Sequence, residues 1–185
     1  NTNSAMYLNS KFKIINIENL NDNIKINELN YLLNNNIFTI DKKFLSYKLR
    51  NNPILGSYEI KKIYPDTLRI QLVKSNPIAK IIQNENTVYL GDNGKVFNFT
   101  QVNYQIPEIV GKINVEYINR IIKIIDDSSF KLNEIKVIKI YPSNRFDLIF
   151  KNNGIIKFPH NFDQKLIEKA FVFYKNNNVY SNIID

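Results

Sequence analysis

Two runs of alternating polarity, Tyr58 to Ile63 and Leu68 to Val73, are separated only by Tyr64-Pro65-Asp66-Thr67. No other feature limits the fold so tightly. Proline fixes its own φ and has no N–H to give to a ladder, so the first run must stop at Pro65. Asp66 and Thr67 are turn formers, and Leu68, Ile70 and Leu72 then share one face of a returning strand. Upstream, Asp41 is placed to cap a helix whose stripe is Phe44, Leu45, Lys48 and Leu49. Ile26, Leu29, Leu32 and Leu33 mark an earlier short helix, preceded by the apolar run Phe12 to Ile17. The predicted order is strand, helix, helix, strand, strand.

Beyond the exit at Pro77-Ile78-Ala79 the pattern changes. Asp92-Asn93-Gly94 and Asn152-Asn153-Gly154 read as hairpin turns, because Asn and Gly accept positive φ at little cost. Gln101 to Pro107 is a loop. Val115, Ile118, Ile121, Ile122 and Ile125 recur at helical spacing. Ile135 to Tyr141 reads as a strand stopped by Pro142, and Phe146 to Phe150 with Ile155 to Phe158 as the next hairpin. Asp163 is placed to cap a last helix striped by Leu166, Ile167, Ala170, Phe171 and Tyr174. Asn176-Asn177-Asn178 ends that helix, and Val179 to Asp185 begins something extended. Hairpin-linked strands with inserted helices predict an antiparallel sheet covered on one face. The class is therefore α+β. The domain boundary is expected at Ala79 to Ile82, where no Gly/Ser linker separates the halves.

The 185 residues include 44% hydrophobic and 12% aromatic side chains, enough to bury a core. There is no cysteine, which removes disulfides and thiolate chemistry together. A net charge of +8 invites a nucleic-acid reading. Against it, only Arg50, Arg69, Arg120 and Arg145 supply guanidinium groups, and the lysines are scattered. The excess of Asn, Ile and Lys follows AT-rich codons. Attraction to anionic lipid headgroups fits the charge better. No run of about 20 apolar residues is present to cross a bilayer. Asn1 to Ala5, before the only methionine Met6, reads as an expression-tag remnant, and residues 1–10 as that remnant plus a juxtamembrane lead.

Catalysis finds no candidate. His160, the only histidine, lies in Pro159-His160-Asn161 between a strand and a helix cap, with no triad partners. Asp126-Asp127, followed by Ser128-Ser129, reads as a helix-ending polar patch rather than a metal pair. Asn98-Phe99-Thr100 matches a glycosylation sequon by chance in an Asn-rich chain. Gly56, Gly91, Gly94, Gly111 and Gly154 fall where turns are expected, not in a phosphate loop. No catalytic, cofactor-binding or metal-binding residue is assigned. Recognition through open sheet edges remains, since unpaired N–H and C=O groups accept a partner strand.

The first segment resembles the POTRA domain of the FtsQ/DivIB family of bacterial cell-division proteins. Pro53-Ile54 opens the second strand, Tyr64-Pro65-Asp66-Thr67-Leu68-Arg69-Ile70 follows the aromatic-Pro-x-x-Leu-x-Ile turn, and Pro77-Ile78-Ala79 makes the Pro-x-Ala exit. Lys74 departs from the pattern, where the family usually has glutamate. The resemblance continues through the Val88-to-Phe97 hairpin and Ile106-Pro107-Glu108-Ile109-Val110-Gly111. It then takes in Arg145-Phe146-Asp147-Leu148-Ile149-Phe150 with Gly154 and Phe158-Pro159. Ile183-Ile184-Asp185 is similar to the start of the family's Ile-Asp-Leu-Arg motif.

That resemblance implies a POTRA domain over residues 11–80. It implies an FtsQ-type β domain over residues 81–185, which reads as truncated at its C-terminal end. It implies a non-enzymatic scaffold of the division complex in the inner membrane, held by one N-terminal helix, with this region in the periplasm at the septum. Partners implied are FtsB and FtsL for the second domain, and FtsK, FtsW or FtsI on the POTRA side. Carried onto this sequence, the POTRA surface falls on Ser57, Ile60 and Lys62. The second-domain surface falls on Arg145, Phe146, Leu148, Ile155, Phe158, Ile183, Ile184 and Asp185. The rival is a POTRA-type polypeptide-binding module of an outer-membrane assembly or secretion system, which predicts repeated POTRA units. No internal repeat is evident here.

Overall fold

The structure, a computed structural model, describes residues 13–14, 29, 32, 36–83, 86–99, 102–176 and 183–184. The chain divides into two compact units between Asn76 and Pro77.

In the first unit, β1 (Lys13–Ile14), α1 (Lys42–Asn51), β2 (Leu55–Ile63) and β3 (Thr67–Lys74) follow in the predicted order. The sheet order is β1-β3-β2, with β1 parallel and β2 antiparallel to β3. The hairpin turns at residues 64–66, where the Tyr64–Pro65 peptide is cis. Tyr58 faces Leu72, Ile60 faces Ile70 and Lys62 faces Leu68 across it. Asp41 caps α1 as expected, its carboxylate accepting the Lys43 N–H at 2.8 Å. Leu45 and Leu49, one helical turn apart, pack on Ile60, Leu68, Ile70 and Leu72, with Leu29 and Leu32 completing the cluster. Each such burial contributes about 1.5–3 kcal/mol. The stripe is narrower than predicted, for Phe44 is 47% exposed. Ile26, Leu33 and most of the Phe12 to Ile17 run lie outside the described residues, as does the helix they were expected to form.

The second unit opens with β4 (Pro77–Gln83), β5 (Asn86–Gly91), β6 (Val96–Phe97) and β7 (Glu108–Gly111). It continues through α2 (Val115–Asp126), a 3-10 turn (Leu132–Glu134), β8 (Ile135–Ile140), β9 (Phe146–Phe150), β10 (Ile155–Phe158), α3 (Gln164–Asn176) and β11 (Ile183–Ile184). The strands form one sheet in the order β11-β10-β9-β8-β7-β4-β5-β6. Ile81, Ile109, Ile138, Leu148 and Ile156 are register partners in one row across five strands, and all are buried. Ile118, Ile121, Ile122 and Ile125 of α2 and Ile167 of α3 belong to the same core. Side chains of Asn114 and Asp163 cap the two helices.

Two features differ from expectation. The break falls before Ala79 to Ile82, because β4 runs through those residues and pairs with both β5 and β7. Proline is tolerated as the first residue of a strand, so Pro77 opens β4 instead of marking a connector. The sheet is also mixed: β4–β7, β7–β8 and β10–β11 are parallel. α2 is a crossover between β7 and β8, and a crossover of that length returns the chain in the same direction.

Candidate partner-binding edges

The two sheets end differently, and strand addition needs an end. In the first unit β2 is nine residues long and pairs only with β3 among the described residues. Among the described residues, one side of β2 has no ladder partner. Ser57 is exposed on it, beside a bulge between Leu55 and Ser57 where Gly56 sits. Ile60 is buried at 5% exposure, so only its backbone belongs to the edge. Lys62 is half-buried and donates from Nζ to the Ile40 carbonyl at 2.7 Å. Tyr58 donates to the Ser46 carbonyl at 3.0 Å, and these two bonds fix α1 along the strand.

In the second unit the predicted residues separate into three environments. Phe146, Leu148 and Phe158 are core side chains; Phe146 stacks on Phe158 at 4.9 Å and meets Phe162 at 4.8 Å. Phe146 and Leu148 lie on β9, between β8 and β10, and Phe158 lies on β10, between β9 and β11. Ile155 is half-buried, and its neighbour Ile156 points into the core. Ile183 and Ile184 lie beside them as β11, in parallel register with Ile155 and Ile156. The edge at this end of the sheet thus passes from β10 to β11. Asp185 lies outside the described residues. At the other end β6 is two residues long, and Phe97 from it is buried.

Arg145, just before β9, is exposed and belongs to a polar cluster. Its guanidinium lies over the Tyr141 ring at 4.3 Å, and Lys139 Nζ approaches the same ring at 5.0 Å. The Tyr141 hydroxyl donates to Asp147 Oδ2 at 2.7 Å, while Arg145 stands 3.9 Å from Asp147 Oδ1. Asp147 is 5% exposed, and its Oδ1 accepts no hydrogen bond. Its register partner on β8 is Lys139 and on β10 is Lys157. A buried carboxylate so placed holds Tyr141 and Arg145 in one orientation. Sequence reading singled out Arg145 but not Tyr141 or Asp147; the available signal was a lone acid inside the apolar strand Phe146–Phe150.

The residues considered for chemistry, Asp126–Asp127 and His160, lie apart from one another in the sequence. Asp126 ends α2 and Asp127 caps it. Burial first, and the neighbouring Asp127 charge second, raise the Asp126 carboxyl above its ordinary value. Burial likewise raises Tyr104 and Tyr117. His160 is exposed in the loop before α3. Among the described residues no three His, Asp or Glu side chains are grouped to hold a metal. A polar cleft of about 600 Å³ on the second unit is lined by Lys80, Tyr89, Tyr104, Glu108, Lys136 and Lys151, among others. Its Lys80–Glu108 pair, at 3.1 Å, is a half-buried ion pair across β4 and β7.

Among the described residues the first unit is a three-stranded sheet with α1 packed on it. Residues 10–74 match the family model of the POTRA domain, FtsQ-type. Over that stretch the chain is similar to FtsQ-type POTRA domains. No curated protein matches it. Among solved structures it is similar to the major extracytoplasmic domain of the trans isomer of the bacterial cell-division protein DivIB from Geobacillus stearothermophilus. Identity is 16%, covering 57% of this chain and 98% of that one, with a TM-score of 0.41. No helix among the described residues is long and apolar enough to cross a membrane.

Proposed function

We propose that this chain is the periplasmic part of a non-enzymatic division scaffold that recruits other division proteins by strand addition, linking early to late components at the septum. The open edge of β2 carries the reading. It presents a nine-residue backbone, a length that supports main-chain pairing, with Ser57, Glu59 and Lys61 exposed along it to choose the partner. On this reading FtsK, FtsW or FtsI engages the POTRA edge through Ser57, Ile60 and Lys62, Ile60 by its backbone alone. FtsB and FtsL engage the second unit, an FtsQ-type β domain. There Arg145 offers a guanidinium, Ile155 with Ile183, Ile184 and Asp185 offers the edge, and Phe146, Leu148 and Phe158 act as the packed support behind it. A single N-terminal helix anchors the parent protein in the inner membrane.

Hydrogen exchange with and without the periplasmic segments of those partners tests the proposal. Strand addition slows exchange in residues 55–63 when a POTRA partner is added, and in residues 183–184 when FtsB is added. Binding that leaves both edges unprotected sinks it.

A further inference from the structure

The first unit exposes aromatic and basic side chains before and at the start of α1 and at the β2–β3 turn. Phe38 and Tyr64 lie 5.3 Å apart between ring centroids, yet are 45% and 60% exposed. The Lys62 bond to the Ile40 carbonyl brings this end of β2 against the segment leading into α1. Lys42 and Lys43 then occupy the first turn of α1, both exposed, with Phe44 beside them at 47% exposure. That turn contains no acidic residue. Cations there oppose the helix dipole, so fold stability does not favour them. Nearby Asp41 and Asp66 face the chain's own donors, the Lys43 N–H at 2.8 Å and the Thr67 hydroxyl at 3.1 Å.

The charge of the whole chain is distributed the same way. Residues 1–76 hold eleven Lys and Arg against six Asp and Glu, whereas residues 77–185 hold fourteen against eleven. Exposed rings beside exposed lysines are the chemistry of a membrane–water interface: rings sit at headgroup depth, and ammonium groups meet lipid phosphates. We infer that the Phe38–Tyr64 pair, with Lys42 and Lys43, is a docking surface for anionic phospholipid. The partner is a lipid surface, and the contact is distinct from the strand-pairing edges proposed above.

The chain contains no tryptophan, so Tyr64→Trp introduces a single fluorescent reporter. The full chain carrying it is titrated with vesicles of phosphatidylglycerol and phosphatidylcholine, and with phosphatidylcholine alone. The inference expects a blue shift in indole emission and co-sedimentation with the anionic vesicles, both much weaker on the neutral ones. A lysine near an anionic surface is worth about 1 kcal/mol, or about fivefold. Lys42→Ala with Lys43→Ala should therefore weaken partitioning roughly 25-fold, and Phe38→Ala in the wild-type Tyr64 background should weaken it while leaving the circular dichroism unchanged. Failure to sediment with anionic vesicles overturns the inference. So does sedimentation with unchanged emission, which would mean diffuse charge attraction without this surface. A blue shift that follows protein concentration without vesicles also overturns it, in favour of a second copy of the chain.

Discussion

The two sheets of this chain differ at one edge, where the first ends in a long strand. Among the described residues, the three-stranded sheet ends in two-residue β1 on one side and nine-residue β2 on the other, whereas the eight-stranded sheet ends in the two-residue strands β6 and β11. Short terminal strands are a common device against unwanted pairing, and a long open edge is a liability unless it has a use. The comparison also separates two kinds of motif residue. In the first unit Ser57 is exposed beside backbone with no ladder partner among the described residues, and Lys62 is half-buried with its Nζ on the Ile40 carbonyl. In the second, Phe146 and Leu148 stand in an interior strand and are fully buried, so their motif records packing behind a surface rather than the surface itself.

The largest test of the comparison addresses the cores. Leu68, Ile70 and Leu72 are fully buried in one cluster, and Ile121, Ile122 and Ile125 are buried in the other, as the sequence spacing predicts. Ile70→Ala and Ile138→Ala should each cost about 2–5 kcal/mol. Urea unfolding followed by segment-resolved hydrogen exchange should show Ile70→Ala loosening residues 36–76 first and Ile138→Ala residues 77–176. Equal loosening of both segments by either substitution would break the division into two cores.

Glycine provides a sharper contrast. Gly111, at the end of β7, has φ +100°, and a Cβ there would lie 2.0 Å from the Ile140 carbonyl oxygen. Gly111→Ala should cost about 1–3 kcal/mol from conformation alone, with steric overlap adding to it. Gly56 sits in the β2 bulge, where a Cβ would be 3.3 Å from Ser75 Cα. Gly56→Ala should stay within about 1 kcal/mol of wild type. A thermal melt in which Gly56→Ala costs more than Gly111→Ala would reverse this ordering.

Buried hydroxyls come next. Tyr141→Phe leaves Asp147 with neither oxygen hydrogen-bonded by the tyrosine, a loss of about 1.5–3 kcal/mol for a bond to a charged group. Tyr58→Phe removes a neutral bond to the Ser46 carbonyl and should cost about 0.5–1.5 kcal/mol. Denaturant midpoints at neutral pH compare them directly. Equal costs would show that Asp147 draws no special support from Tyr141.

Much of this was legible in the residues. The Pro65 interruption located the β2–β3 hairpin, Asp41 and Asp163 capped the helices predicted for them, and the isoleucine spacing from Ile118 to Ile125 marked the buried face of α2. Those signals are local, set by one residue's φ or one helix's periodicity. What escaped was set by distant partners. β4 looks like an exit because its leading proline resembles a connector, and only β5 and β7, reached later in the chain, make it a strand. Parallel pairing of β7 with β8 depends on the α2 crossover, which alternation within a strand does not report. Burial of Asp147 follows from the rings and chains placed over it by Tyr141 and Arg145. The edge residues were legible as a motif, yet which of them face outward depends on strand order.

The smallest expected effect compares the mismatched helix ends, one in each unit. α1 carries Lys42 and Lys43 in its first turn, whereas α2 ends in Asp126 and Asp127, anions at the negative end of its dipole. Burial and the Asp127 charge raise the Asp126 carboxyl above its ordinary value. A carboxyl with a raised folded-state pKa binds its proton more tightly folded than unfolded. Its ionised form therefore weakens the fold at neutral pH, and this penalty lifts as pH falls through the raised value. Asp126→Asn should then stabilise the second unit at neutral pH by a few tenths of a kcal/mol, at the low end of helix-end charge effects. The gain should shrink as the pH is lowered into the range where Asp126 protonates. Melting wild type and variant side by side from acid to neutral pH measures it. A difference that grows towards acid would show that Asp126 is stabilised by partners rather than opposed by the helix end, and that only α1 carries charges its fold does not favour.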